Sequence, residues 1–125
     1  MTTTLRASVN LVEEVLRLDH AIRYVAFAQG QRVEMRQRPD VDGPSAAESD
    51  RYEELLVNPA LITLASQRGN IDCGGLEYLI VRYGNFFQVV VPLDAGHLSV
   101  AVDRVGAPVD IASKVMQLVK GTATG

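Results

Sequence analysis

The sequence predicts an α/β protein of the α+β type, in which helices lie on the faces of an antiparallel sheet. Three observations predict this class. Apolar residues recur at helical spacing, several short segments have strand character, and the links between the last three strands are too short for parallel crossovers. The predicted order is helix, two strands, helix, three strands and helix, which favours a single antiparallel sheet.

The first half of the chain contains a predicted helix and a hairpin. The helix is predicted over residues 5–19, where apolar residues follow at spacings of four, three and four. Ile22–Ala28 is apolar on both alternating faces, which is typical of a covered strand. The Gln29-Gly30 turn and the alternating segment Arg32–Arg38 complete a hairpin whose second strand is half solvated.

A long helical segment follows the hairpin. Ser45 and Glu48 have the spacing of a capping box at its start. Asn58-Pro59 interrupts the pattern, because proline lacks the N–H that a helix interior needs. We therefore expect either one kinked helix or two abutting helices that end near Gly69.

The second half of the chain predicts a three-stranded meander and a closing helix. The strands are Leu76–Tyr83, Phe86–Val91 and His97–Asp103, and short turn-like links make them antiparallel neighbours. Pro108 begins the last helix, and a polar tail from Gly121 is expected to fray.

Length and composition limit the class of protein. With 125 residues the chain is predicted to be a single domain over 1–125, with its core at about residues 8–120. A formal net charge of −3 gives no basic footprint, so nucleic acid is not an expected partner. Cys73 is the single cysteine, which fits a reducing compartment. No secretory signal or spanning segment is recognised, so we expect a cytoplasmic protein without membrane insertion.

The histidines are the candidates for chemistry. His20 and His97 lie in different predicted elements and lack the ordered ligands of a zinc site. We interpret His97 as a surface residue at a strand end. The alternative is a weak pair with Asp94, which is the one candidate catalytic centre. The sequence therefore predicts no catalytic residue, no cofactor and no metal ligand.

Two further groups have structural interpretations. Cys73 follows Asp72, whose charge does not favour a reactive thiolate, so we interpret it as a small residue at a strand entry. A group of carboxylates could suggest a cation site, but its spacing lacks the pattern of a calcium loop. We interpret it as a solvated loop and helix face. Its members are Asp40, Asp42, Glu48, Asp50, Glu53 and Glu54.

The hairpin carries a row of basic residues. Arg32, Arg36 and Arg38 are predicted on one face of the second strand, where they could dock an acidic partner. The alternative is an ordinary solvated strand face.

Apolar surface exceeds what a single copy is expected to hide. Leu76–Tyr83 is apolar on both faces, and an exposed edge strand recruits other strands. Pairing with a second copy would form a two-fold interface, with the long helix packed across it. The alternative is that these residues belong to one monomer core. The predicted interface residues are Tyr52, Leu55, Leu56, Leu61, Ile62, Leu76, Tyr78, Leu79, Ile80 and Val81.

The order of elements resembles the roadblock family, which is related to the dynein light chains. The resemblance rests on a first helix, the hairpin IRYVAFAQGQRVEMR, a long helix, the meander FFQVVVPLDAGHLSVAVD and the closing helix PVDIASKVMQLV. It covers about residues 8–120.

The resemblance implies a fold, an assembly and a class of partner. The fold would be a three-layer sandwich around a central five-stranded sheet, with the long helix on one face and both terminal helices on the other. Dimers would form through Ser45–Arg68 and Leu76–Tyr83. Family members are adaptors without catalytic residues, often associated with small Ras-like GTPases in bacteria and archaea, and with motor or signalling scaffolds in eukaryotes.

A second hypothesis is a domain that senses a small molecule. A curved antiparallel sheet under a helix can enclose a pocket. Tyr24, Phe27, Phe86 and Phe87 are the side chains expected to line it.

Overall fold

A computed structural model of the chain describes residues 10–38 and 51–124. Residues 10–16 form helix α1, residues 51–72 form helix α2, and Pro108–Thr124 form helix α3. The strands are β1 Ile22–Gln29, β2 Arg32–Gln37, β3 Leu79–Arg82, β4 Phe86–Leu93 and β5 Gly96–Asp103. The predicted order of helices and strands is confirmed.

The five strands form one antiparallel sheet in the order β2-β1-β5-β4-β3. The register places Val25 of β1 and Val89 of β4 on either side of Val100 of β5. The strands β2 and β3 are the edges, since each has one neighbour among the described strands. The third strand of the prediction therefore lies at an edge.

Two glycines allow the chain to turn and to pass close to itself. Gly30 has a φ of 62° in the turn between β1 and β2, where Gln29 pairs with Arg32. A Cβ atom at Gly96 would collide with the carbonyl group of Ala28, because β5 begins directly against β1.

The apolar core lies on the sheet face that α1 and α3 cover. Leu98, Val100 and Val102 alternate along β5 and point to this face. They pack with buried residues of both terminal helices, including Val15 and Ile111. Burying a side chain of this size contributes about 1.5–3 kcal/mol, so these contacts supply much of the stability of the fold.

Helix α2 covers the opposite face and contains a widened turn. Glu53–Val57 is a π-helix, in which the backbone N–H of Asn58 donates to the carbonyl of Glu53. Pro59 follows directly, and a proline ring crowds the carbonyl one turn earlier, which a wider turn relieves. The Asn58-Pro59 interruption is thus accommodated in one continuous helical run rather than in two separate helices.

Helix α2 ends later than the sequence predicts. The carbonyl of Gly69 accepts from the backbone N–H groups of Cys73 and Gly75, and the helix continues to Asp72. Gly74 and Gly75 have φ angles of 82° and 91°, so they supply the left-handed conformation that ends a helix. Gly69 lies inside the helix. The returning chain packs closely against it, which the absence of a side chain allows.

Other boundaries also differ. Strand β3 is Leu79–Arg82, so the predicted residues 76–78 and Tyr83 lie outside the ladder with β4. Helix α1 ends at residue 16 rather than 19, and α3 continues past Gly121. Residues 5–9, the predicted capping pair and the first four acidic residues of the carboxylate group lie outside the described residues. Among the described helices, none combines the length and apolar character that a membrane crossing requires.

Candidate functional site

An apolar surface on α2 faces away from the sheet. Four large apolar side chains of this helix are more than half exposed, and we call them the α2 stripe: Tyr52, Leu56, Leu64 and Ile71. Spacings of four, eight and seven place them along one side of the helix. An exposed apolar patch of this kind is typical of an interaction site.

The start of α2 is joined to the end of the edge strand β3. The hydroxyl of Tyr83, directly after β3, donates to the Glu53 carboxylate of α2 at 3.2 Å. Val57 and Leu61 lie about one and two turns further along the same side of the helix and are half-buried. Leu79–Arg82 has no neighbour among the described strands on its outer side. The helix surface and the strand edge together form the candidate interface.

The predicted interface residues divide between this surface and the monomer. Tyr52 and Leu56 are exposed in the α2 stripe, whereas Tyr78 and Ile80 pack against the core under the opposite sheet face. The remaining six are half-buried: Leu55, Leu61, Ile62, Leu76, Leu79 and Val81. Leu64 and Ile71 were absent from the prediction, although their spacing from Leu56 is the signal that would have identified them.

A buried carboxylate lies beneath the α2 stripe. We call the Glu54 cluster the five side chains Tyr24, Glu54, Asn58, His97 and Ser99. The Glu54 Oε2 atom accepts from Ser99 Oγ at 2.6 Å and from the Tyr24 hydroxyl at 3.0 Å. Its Oε1 atom accepts from Asn58 Nδ2 at 3.0 Å and lies 2.7 Å from His97 Nε2. The carboxylate therefore joins α2 to β1 and β5.

The arrangement of the Glu54 cluster is structural rather than that of a nucleophilic centre. Ser99 donates to Glu54 and not to His97, so no serine–histidine pair is formed. Glu54 is 1% exposed and His97 is 3% exposed, which leaves neither side chain open to a substrate. The carboxylate bonds four polar groups of α2, β1 and β5 at once, so its own burial is compensated by hydrogen bonds.

The interpretation of His97 as a surface residue is wrong. It lies under α2, and its partner is Glu54 rather than Asp94, which is exposed in the turn between β4 and β5. The solvated interpretation of Glu54 is wrong for the same reason. Glu54, Asn58 and Gly69 share one helical face, but a polar helix face normally indicates the solvent side, so the sequence pattern pointed away from this arrangement.

The arginine row of the hairpin is not a single surface. The guanidinium group of Arg38 donates to the carbonyls of Ile22 at 2.8 Å, Asp19 at 2.8 Å and Leu16 at 3.1 Å. These bonds satisfy the end of α1 and the chain after it, so Arg38 is removed from the predicted docking set.

Arg32 and Arg36 remain on the exposed part of β2. The side chain of Arg36 is half exposed and lies 3.8 Å from the Glu13 carboxylate of α1. An exposed ion pair of this kind is worth only about 0–1 kcal/mol. It therefore does not prevent Arg36 from meeting an acidic partner.

The four aromatic residues predicted to line a pocket do not converge. Tyr24 points toward α2 and belongs to the Glu54 cluster, whereas Phe27 and Phe87 pack against the core on the other sheet face. Phe86 lies at the rim, with its ring 5.3 Å from that of Tyr83. Neighbouring strand residues point to opposite faces, so Phe86 and Phe87 could not line one cavity.

Cys73 is exposed at the end of α2. Its thiol lies 3.4 Å from Oδ1 of Asp72, whose carboxylate also accepts from Arg68 at 2.5 Å. The Arg68 hydrogen bond, followed by that from Cys73, lowers the pKa of Asp72. Within residues 10–38 and 51–124, no cluster of three His, Cys, Asp or Glu side chains could hold a metal ion.

Comparisons with known proteins identify the fold. No protein-family model matches the sequence, and no curated protein is significantly similar to it. The structure is similar to that of gliding protein MglB from Thermus thermophilus, with a TM-score of 0.68 and 14% identity over 95% of this chain and 90% of that chain. A Roadblock/LC7 domain from Streptomyces avermitilis is also similar, with a TM-score of 0.66 and 12% identity over 92% of this chain and 96% of that chain.

A third similar structure is MglB with a tetrameric arrangement. Its TM-score is 0.65, with 15% identity over 95% of this chain and 89% of that chain. At identities this low the likeness establishes the fold alone. The chain therefore has the roadblock-like fold, with α2 on one sheet face and α1 and α3 on the other.

Proposed function

We propose that this protein is a non-catalytic, homodimeric adaptor of the cytoplasm that binds a small Ras-like GTPase or a similar regulatory protein. The observation that carries the proposal is the α2 stripe beside the open edge of β3. The roadblock-like fold supports the assignment as an adaptor, because roadblock proteins are regulatory adaptors. The GTPase is the partner class that the resemblance implies.

The exposed surface favours a second copy of the chain as its first partner. Removing one leucine side chain from water contributes about 1.5–3 kcal/mol. A two-fold contact buries the α2 stripe of both copies, so each of its side chains contributes once from each copy. An open strand edge also gains backbone hydrogen bonds when it meets another strand. Glu53, next to Tyr52 of the stripe, binds Tyr83 directly after β3, so we expect one interface to cover both features. The tetrameric MglB supports self-association in this fold.

The dimer is tested by measuring mass in solution. Size-exclusion chromatography with light scattering at low micromolar concentration is expected to give twice the monomer mass of 13.6 kDa. Leu64→Asp places a charge in the α2 stripe and is expected to give the monomer. Val105→Asp is the matched control, because Val105 is 93% exposed in the turn before α3 and lies outside the α2 stripe. A monomeric wild type, or equal effects of both variants, would contradict the proposal.

The partner class is tested by binding. Small Ras-like GTPases from the same genome, loaded with GDP or with a non-hydrolysable GTP analogue, would be titrated against the full chain by calorimetry. We expect one of them to bind, with a preference for one nucleotide state. Substituting Arg32 and Arg36 with glutamate is expected to weaken that binding while the mass stays dimeric. If none of the GTPases binds, the GTPase part of the proposal fails and the dimer is unaffected.

A further inference from the structure

Helix α2 is joined to the sheet by a buried polar cluster as well as by half-buried apolar side chains. Among the described residues 51–72, the buried ones are Glu54, Asn58 and Gly69, and none of the apolar side chains is fully buried. The other sheet face differs, since its helices bury residues such as Val15 and Ile111 completely. The half-buried apolar side chains of α2 are Leu55, Val57, Leu61, Ile62 and Ala65, so the helix is packed less completely than the terminal helices are.

Glu54 supplies contacts that packing does not. Its carboxylate meets Tyr24 on β1 and both His97 and Ser99 on β5, so two strands fix the position of one helical residue. Asn58 binds the same carboxylate from one turn further along α2. Hydrogen bonds depend on direction, so sliding or rotating α2 by one residue would break all three contacts to the sheet at once.

Glu54 lies within the π-helical turn. Glu53–Val57 is wound more widely than an α-helix, and Asn58 separates it from Pro59. In this turn two adjacent carboxylates serve different elements, since Glu53 reaches Tyr83 after β3 while Glu54 points under the helix. Widened turns of this kind occur frequently at functional sites.

We propose that Glu54 is a positioning residue that fixes the register of α2 on the sheet and thereby sets the orientation of the α2 stripe. When the Glu54 cluster is broken, α2 opens as a unit while the sheet, α1 and α3 stay folded. That the oriented stripe meets a second copy rests on the proposed function. The opening of α2 does not rest on it.

Hydrogen exchange of the full chain, read by mass spectrometry, tests the proposal. Glu54→Ala is compared with Asp72→Ala, which removes an exposed carboxylate from the same helix. Both are made in the Leu64→Asp background, so that a second copy does not protect α2. Losing a buried side chain that accepts several hydrogen bonds is expected to raise exchange across residues 54–68 about tenfold to a hundredfold, with less than about a twofold change in β4 and β5. Asp72→Ala is expected to leave both regions within about twofold of the background.

A conservative variant separates positioning from general stability. Glu54→Gln keeps an oxygen for His97 and Asn58, and the hydroxyls of Tyr24 and Ser99 can turn to accept from its amide. It is expected to restore slow exchange in α2 to within about fivefold of the background. If Glu54→Ala does not fold, hydrogen exchange is compared between two other variants. His97→Gln keeps a donor for Glu54, and His97→Leu does not.

The outcomes are distinct. Faster exchange confined to α2, with rescue by Glu54→Gln, supports the positioning role. A uniform rise across α2, β4 and β5 would mean that Glu54 supports the whole fold, and no change in α2 would mean that packing alone holds the helix. Either result overturns the proposal. The mass of the otherwise wild-type chain is measured separately, so loss of the dimer claim does not alter the exchange result.

Discussion

The two faces of the sheet are covered by helices in different ways. On one face, α1 and α3 pack through fully buried apolar residues such as Val15 and Ile111. On the other, no apolar side chain of α2 is fully buried, and Glu54 joins the helix to the sheet by hydrogen bonds. Apolar packing is strong but tolerates small shifts, whereas a hydrogen-bonded carboxylate is specific in position. One face therefore supplies stability, and the other holds a helix whose outer side remains apolar and exposed.

The largest expected effect comes from the apolar face. Leu98 is fully buried on β5, and Leu98→Ala is expected to lower the free energy of unfolding by about 2–5 kcal/mol, because it removes apolar contacts and leaves a cavity. Urea unfolding at fixed protein concentration measures the loss. Val105→Ala is the control, with an expected change within about 0.5 kcal/mol at an exposed site. A loss below about 1 kcal/mol at Leu98 would show that this face is loosely packed.

The neighbouring residue on the same strand tests the polar face. Ser99 points the opposite way and donates to Glu54 at 2.6 Å. Ser99→Ala removes one of several partners of a buried carboxylate, so the expected loss is about 1–2 kcal/mol. Ser113→Ala is the matched control on α3, where the serine is exposed. A larger loss at Ser99 than at Leu98, measured by the same urea titration, would reverse the contrast between the two faces.

Much of the sheet was predictable because its signals are local. Alternation placed Leu98 and Val100 on one face of β5, and Gly30 marked the turn of the first hairpin. The lengths of the strands were less predictable. The number of β3 residues that pair in the ladder depends on the position of β4, which the local sequence of β3 does not specify.

The candidate site was predicted only in part. The sequence reasoning considered β3 as an edge strand, which it is, and it named Tyr52 and Leu56 of the α2 stripe as interface residues, which stays a prediction. The Glu54 cluster was missed, because Glu54 and His97 are 43 residues apart and neither residue carries a local mark of its partner. A carboxylate near a helix start is normally solvated, and only the packing of α2 on the sheet makes it buried. The apolar residues on the outer side of α2 added to this error, because an apolar helix face is normally the one that packs against the core.

The smallest expected effect lies where α2 meets the sheet edge, and it depends on pH. Partial burial, followed by the charge and hydrogen bond of Glu53, raises the pKa of Tyr83. The folded state therefore holds the tyrosine proton more tightly than the unfolded state does. The stability that Tyr83 contributes is complete below its unfolded pKa of about 10, and is lost as the pH rises through the folded value.

Tyr83→Phe isolates this contribution, because it removes the titrating hydroxyl and keeps the ring against Phe86. Urea unfolding between about pH 8 and 11 is expected to show the wild type losing stability faster than the variant at the alkaline end. Glu53→Gln removes the charge that opposes ionisation, so it should reduce the slope without abolishing it. Parallel curves for wild type and Tyr83→Phe would mean that Tyr83 has the same pKa in the folded and unfolded states. Helix α2 would then be joined to the sheet edge less closely than to β1 and β5.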